Sequence, residues 1–387
     1  MNIDENRAVK LAADLISLDG VSGEEGDVAD FIEEQARKAG VKKSWITRDA
    51  AHKRIGSGNT GNLVITVPGS GAGKRILFSA HMDTVEIARG SVPVRKGNYI
   101  YPQGDTALGA DNRAGVAALV NGLVHIVQTG EPRPPLTFLF TVQEEIGLFG
   151  ARYTAVSKLK NPAMCYNVDG RDPGEIVLKA PSSSVFTATV RGRAAHAGQH
   201  PDRGVSAALI FTGALAEVRD KNLFGHIERK GKKAATSNIG TVEGGTASNI
   251  VMDTLRIKGE ARSYSDKLLE RIIRTYKQSL EKAARSVKST DGACGSVEFG
   301  SERIYTAFSV AKSSEPVRRL VSVLGKFGAE PVYPEMFGGL DANWLNSFSI
   351  PTVTIGAGGQ NPHTKDECLS IRDYLTACRT VLGLIRS

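Results

Sequence analysis

No stretch of this chain stays apolar for the roughly 18–20 residues of a membrane span, so no membrane-spanning helix is expected. Cysteine is scarce. Cys165, Cys294, Cys368 and Cys378 stand apart with no CxxC spacing, which excludes a disulfide scaffold and fits buried thiols in a reducing compartment. The opening MNIDENRAVKLAADLISLDG mixes acids and bases and lacks an apolar h-region, so it does not read as a signal peptide. A cytoplasmic protein is expected. There is no low-complexity tract and no repeat with a period of about 20–50 residues. Aromatics are few, at 6%, beside 41% hydrophobic and 23% charged residues, which is the composition of an ordinary globular chain and not of a disordered or collagen-like one. At 387 residues it exceeds one hydrophobic core, so two domains are expected.

The net charge of +8 is dispersed. Its densest run, Glu228-Arg229-Lys230-Gly231-Lys232-Lys233, has no interleaved aromatics on which bases could stack, and reads as a solvated loop. No nucleic-acid partner is expected. The segment Gly69-Ser-Gly-Ala-Gly73-Lys74-Arg75 imitates a phosphate-binding loop. Pro68 stands where that pattern needs its first glycine and Arg75 where it needs a hydroxyl, and a strand follows where a helix should. It reads as a Gly-rich hairpin.

The first third alternates helix and strand signals. Residues 5–17 carry Ala8, Leu11, Ala12, Leu15 and Ile16 at helical spacing, and Ser22-Gly-Glu-Glu25 has the pattern of a capping box opening a second helix. Strand-type runs occupy Asn62–Val67, Ile76–Ala80, Leu136–Val142 and Met164–Val168, with a buried helix over Ala114–Val127. Nearly continuous apolar strands interleaved with helices predict an α/β domain whose mostly parallel sheet is covered by helices on both faces. Catalytic groups in such sheets gather at the carboxyl ends of strands. From about residue 182 the order becomes βαββαβ: Ser184–Arg191, Ala207–Val218, Ser237–Val242, Leu255–Ser263, Asp266 to about Val287, and Ser296–Arg303. That predicts an inserted α+β domain with one helical layer. Alternation resumes with helix Pro316–Lys326, the turn FGGLDAN, strand Thr352–Gly356 and helix Ile371–Ile385. The expected division is 1–181 with 309–387 for the first domain and 182–308 for the insertion.

Several strand ends and loop mouths carry metal-type side chains. Ile76-Leu-Phe-Ser-Ala-His81-Met-Asp83 ends in His-x-Asp, and residues two apart on an extended chain point the same way, so Asp83 can steady the His81 ring. Asp111 lies at the mouth of the buried helix, where a simple N-cap is the plain alternative. LTFLFTV runs into Gln143-Glu144-Glu145-Ile-Gly147, and adjacent acids at a buried strand's end are costly unless paired. Regular strand geometry would aim them at opposite faces, so the chain is expected to leave the strand there. Asp169 ends another strand, and His363 follows strand PTVTIG in Asn361-Pro-His363. Singly, each has an ordinary structural explanation; together they point to a metal site. Two histidines with carboxylates suit zinc, with cobalt or manganese possible. Five ligands are too many for one open zinc and suit two sharing an acid, with one acid left over to move protons. GxSxG is absent, so no serine triad is expected.

These residues, in this order, resemble the co-catalytic zinc exopeptidase family that includes peptidase T, carboxypeptidase G and aminoacylase. The likeness is nearest to the peptidase T-like branch, through SAHMDTV, GADNRAG, TVQEEIGLFGA and NPHTKDE. The resemblance implies two zincs per subunit: His81 and Asp169 on the first, Glu145 and His363 on the second, and Asp111 between them, followed by a cis peptide to Asn112. It implies Asp83 as support for His81, and Glu144 as the general base that takes a proton from the attacking water and passes it to the leaving amine. The insertion would be a lid and dimerisation domain. In it, Ala194-Ala-His196-Ala-Gly198 supplies an oxyanion-stabilising histidine, while Asn249 and Arg262 grip substrate. The family commonly has Ser or Thr near the pocket where this chain has Leu340. The implied activity is hydrolysis of the terminal bond of small peptides by a homodimer, of tripeptide-aminopeptidase type. The alternatives are an N-acyl-amino-acid or dipeptide amidohydrolase and a non-catalytic peptide-binding relative.

Overall fold

The Phe78, Phe138 and Tyr166 rings pack on one face of the central sheet, with centroids 5.5 and 5.7 Å from Phe78. The structure is a computed structural model describing residues 3–387; Met1 and Asn2, where the expected first domain begins, lie outside the described residues. It divides into two units, one running to Ala180 and including Phe308–Ser387, the other Pro181–Ala307.

In the first unit, strands Ile76–His81, Leu136–Thr141, Met164–Val168 and Thr352–Ile355 are mutually parallel at the centre of a seven-stranded sheet. Ile46–Arg48, Leu63–Val67 and Ile176–Val177 join antiparallel at the edges. The α/β prediction of a mostly parallel sheet therefore holds at the centre, where the site lies. Every residue of the Ile76–His81 and Leu136–Thr141 strands is buried, because both pleat faces are covered. One face packs on helices Glu5–Ile16, Ala110–Thr129 and Ile371–Ile385; the other carries Val64, Leu77, Leu139 and Cys165 under Leu345 and Ile350. Each fully buried aromatic or leucine adds roughly 1.5–3 kcal/mol.

Three local expectations change. The Gly69–Arg75 segment is not a hairpin: the strands before and after it flank Leu136–Thr141 on opposite sides, and the loop crosses over, Ser70 and Gly71 donating to the Arg133 carbonyl. Glu25 precedes helix Gly26–Lys38 without making a cap bond, so no capping box forms; Glu25 turns inward instead. Cys294 is exposed, whereas the other three cysteines are buried. Sequence patterning also passed over a small sheet of Pro93–Lys96, Tyr99–Pro102, Gly359–Gln360 and Cys368–Ser370, whose strands are too short to show alternation.

The second unit is a five-stranded antiparallel sheet ordered Gly225–Arg229, Lys232–Gly244, Thr254–Ser263, Ser182–Arg191, Ser296–Tyr305. Alternation decides its faces: Phe186, Ala188 and Val190 are buried while Val185, Thr187 and Arg191 are exposed. Helix Asp266–Ser286 lays Leu269, Ile272, Tyr276 and Leu280 on the buried face, its N-terminus capped by Ser265, which accepts from the Leu268 amide. The strand Gly225–Arg229 was not expected. The basic run is the tip of its hairpin with Lys232–Gly244, turned by Lys230 and Gly231 at φ +53° and +70°, the two positive values of a type I′ turn.

Candidate metal centre

The site is assembled where the parallel strands end. His81 closes its strand and is 2% exposed. Its Nδ1 lies 3.1 Å from the Asp83 carbonyl and 3.3 Å from Asp83 Oδ1, which fixes the ring and aims Nε2 outward. Nε2 lies 3.2 Å from Asp111 Oδ1, 3.9 Å from Asp169 Oδ1 and 4.0 Å from Glu144 Oε2. The other Asp111 oxygen, Oδ2, is 3.5 Å from Nε2 of His363, and the same nitrogen is 3.0 Å from Glu145 Oε2. One carboxylate thus stands between two imidazoles, each also facing a further acid. Ligand atoms of His81, Asp111 and Glu145 fall within 4.8 Å of one another.

The backbone explains how adjacent acids reach one cavity. Gln143 takes φ +50°, so the chain leaves the strand before Glu144. Asp83 then accepts the Glu144 amide on Oδ1 at 3.0 Å and the Glu145 amide on Oδ2 at 3.1 Å, with the Ser22 hydroxyl at 2.6 Å. Asp111 is reached through a cis peptide to Asn112, and its amide donates to Glu367 at 2.9 Å; the Gly109 amide donates to the other Glu367 oxygen at 2.7 Å. Asn112 donates to the Val168 carbonyl at 2.8 Å, tying the Asp111 turn to the strand that ends at Asp169.

Electrostatics agree with a cation-binding role. Burial raises the Glu144 carboxyl well above its usual range, and nearby Asp169 and Asp341 add to it while His81 opposes. Burial likewise lifts Asp169 to about 7. Burial would raise Asp111 too, but its hydrogen bonds to His363 and His81 hold it low. Hydrogen bonds to Asp111 and Glu145 push His363 up to about 10. Four acids crowded on two imidazoles in low dielectric need positive charge beyond what the histidines supply. Nitrogen and oxygen donors with an acid between them fit a pair of borderline cations such as zinc.

The structure brings together His81, Asp83, Asp111, Glu144, Glu145, Asp169 and His363. Within the second unit, the His196 and Asn249 segments pair: the Ala197 amide donates to the Asn249 carbonyl and the Val251 amide to the Ala195 carbonyl, each at 2.9 Å. His196 is exposed, its Nδ1 accepting the Gly198 and Gln199 amides at 3.2 Å. Arg262 lies next to the last residue of strand Thr254–Ser263 and donates to Glu260 at 2.9 Å. Leu340 is buried and packs with Val177, Ala180, Phe308 and Ala342.

Sequence patterning missed Glu25, Glu367 and Asp341, all buried acids in segments that were noticed for other reasons. Asp341 accepts from the Thr141 hydroxyl behind the site, and burial raises it to about 6. The one available signal was a carboxylate inside an otherwise apolar or glycine-rich stretch.

The profile of peptidase family M20/M25/M40 matches residues 77–387. The uncharacterized protein YqjE of Bacillus subtilis (strain 168) is 29% identical over 384 residues, 99% of this chain and 98% of its own. The crystal structure of aminopeptidase PepT from Bacillus cereus ATCC 10987 superposes with TM-score 0.87 at 31% identity, covering 99% of this chain and 98% of that one. A tripeptidase from Staphylococcus aureus subsp. aureus Mu50 superposes with TM-score 0.89 at 29% identity and the same coverage.

Proposed function

Since the chain belongs to peptidase family M20/M25/M40 and is a metal-dependent exopeptidase, we propose that it is a two-zinc aminopeptidase releasing the N-terminal residue of tripeptides. The observation that carries this reading is the Asp111 carboxylate set between the Nε2 atoms of His81 and His363, at 3.2 and 3.5 Å. His81 and Asp169 would hold one ion, Glu145 and His363 the other, with Asp111 shared. Bound there, the ions supply Lewis-acid polarisation of the scissile carbonyl and acidify water.

The chain's own groups do the rest. Glu144, buried beside these ligands, takes a proton from the attacking water and delivers it to the leaving amine. A carboxyl raised by burial is suited to both halves of that transfer. Asp83 keeps His81 in one orientation and fixes the amides of both glutamates. For the second unit, we assign His196 to the developing oxyanion and Asn249 and Arg262 to the substrate; their motifs support these roles. We also propose a cytoplasmic homodimer joined through the second unit. Mixing His196→Ala with Glu144→Gln subunits should then restore activity that neither variant has alone, and no restoration would count against action across the dimer.

The reading is tested by amine release from a free-amine tripeptide and its N-acetylated form in excess zinc. Cleavage of the free form alone is expected. Preference for the acetylated form would make the protein an N-acyl-amino-acid hydrolase, and turnover of neither would reject the proposal.

A further inference from the structure

Glu25 is wholly buried, yet it makes no cap bond to the helix it precedes. Its Oε1 accepts the Gly23 amide at 2.8 Å and the Gln143 amide at 2.9 Å. The Gln143 bond spans 118 positions of chain. Asp83 takes the next two amides, those of Glu144 and Glu145. Three consecutive backbone N–H groups therefore end on two buried carboxylates from distant segments.

That arrangement answers a specific difficulty. Glutamine at φ +50° sits in the left-handed region, which a side chain with a Cβ adopts only at an energetic cost. The turn also takes the Gln143 amide out of the strand ladder, and a buried amide without a partner is destabilising. A fixed acceptor below Gln143 removes the second penalty and holds the first conformation in place. The turn in turn decides where the two following acids point. Arg113 supplies the counter-charge: it is fully buried, donates to the Leu15 and Gly20 carbonyls at 3.1 and 3.0 Å, and its positive charge acts on both Glu25 and Asp83.

We propose that Glu25 is a positioning residue of the hydrolytic site, holding the Gln143 turn so that Glu144 and Glu145 keep their separate aims. It touches neither substrate nor ion. The inference rests on the reading of Glu144 as base and Glu145 as metal ligand.

The test compares Glu25→Ala, Glu25→Gln and Glu25→Asp in the full chain. Gln retains a carbonyl oxygen for the same two amides, Asp retracts the acceptor by one methylene, and Ala removes it. In excess zinc, Glu25→Ala is expected to lose kcat by roughly 10–100-fold, the range for groups that orient ligands from behind. KM should change little, and Glu25→Gln should recover most of kcat. Zinc affinity, read by competition with a chelator, should fall in Glu25→Ala and return in Glu25→Gln whether or not any peptide is cleaved. Wild-type kcat and zinc affinity in Glu25→Ala would overturn the inference, as would equal impairment of the Gln and Ala variants. Should Glu25→Ala not fold, Glu25→Asp decides: weakened zinc affinity supports the role, and wild-type affinity overturns it. An inactive wild-type protein would reject the proposed peptidase activity while leaving the zinc measurement to judge Glu25.

Discussion

Nε2 of His363 lies 3.0 Å from Oε2 of Glu145, although 218 positions of sequence separate them. The same nitrogen faces Asp111 on its other side. Nothing in the loop around His363 needs an imidazole for packing, since the side chain is half exposed. Its place is explained by what it shares with the acids.

Chelation should therefore abolish hydrolysis and lower the melting temperature, and zinc, cobalt or manganese should restore both. Ligand-linked stabilisation is about 2.7 kcal/mol at a hundredfold excess over Kd. Scanning calorimetry with excess zinc and with chelator checks it. Identical melting curves together with undiminished amine release would remove the metal from the mechanism.

Glu144→Gln keeps the shape of the side chain and gives up the proton acceptor. Folding and zinc content should be retained while kcat falls by about 10²–10⁴, the span for a lost general base. Glu145→Gln should instead lose zinc first. If the two substitutions gave interchangeable effects, the division of labour between neighbours would be wrong.

The catalytic strands were legible because both of their faces are buried: ILFSAH and LTFLFT are mostly apolar runs, each broken by one hydroxyl residue, that end in polar groups. Strand ends in a parallel sheet converge, so His81, Glu144, Glu145 and Asp169 could be gathered from sequence alone. The Gly69–Arg75 loop was misread because a glycine cluster marks a turn without saying which strands it joins, and Leu136–Thr141 enters between its neighbours from far along the chain. Glu25 was missed for a related reason. A carboxylate near a helix start looks like a cap, and only tertiary structure shows Glu25 bonded to an amide 118 residues away. The strand Gly225–Arg229 was hidden because an exposed edge tolerates charges that periodicity reads as loop.

Glu25 also gives a pH signature. Burial, helped by the charge of Asp83 and opposed by the Gly23 and Gln143 amides, raises its carboxyl from 4.5 to about 7. The charges facing it are those of Asp83 and Arg113. The folded chain therefore keeps a proton that the unfolded chain releases, so this contribution to stability is whole below 4.5 and lost as pH climbs through 7. The loss is at most about 3 kcal/mol. Glu25→Gln has no carboxyl to titrate, so the wild-type protein should lose stability relative to the variant as pH rises from 4.5 to about 7. Urea midpoints of the metal-free proteins measure this, and parallel pH curves would contradict it.

The tie between the Asp111 turn and the Asp169 strand can be tested at a glycine. A Cβ on Gly115 would stand 2.2 Å from Asn112 Oδ1 and 2.3 Å from the Val168 carbonyl oxygen. Those atoms belong to one lock, in which Asn112 donates to Val168 and accepts the Gly115 amide at 3.2 Å. The backbone carbonyl cannot swing aside as a flexible side chain could, so Gly115→Ala must push Asn112 away from it. Overpacking of this kind costs roughly 1–3 kcal/mol, and a buried amide stripped of its partner adds a similar amount. Because Asp111 directly precedes Asn112, zinc affinity should weaken together with the melting temperature. Gly213→Ala is the control: that helical glycine has nothing within 4 Å of a new Cβ, and removing a mid-helix glycine should stabilise by up to about 1 kcal/mol. A Gly115→Ala protein that melts like wild type with unchanged zinc affinity would show that the lock does not hold Asp111.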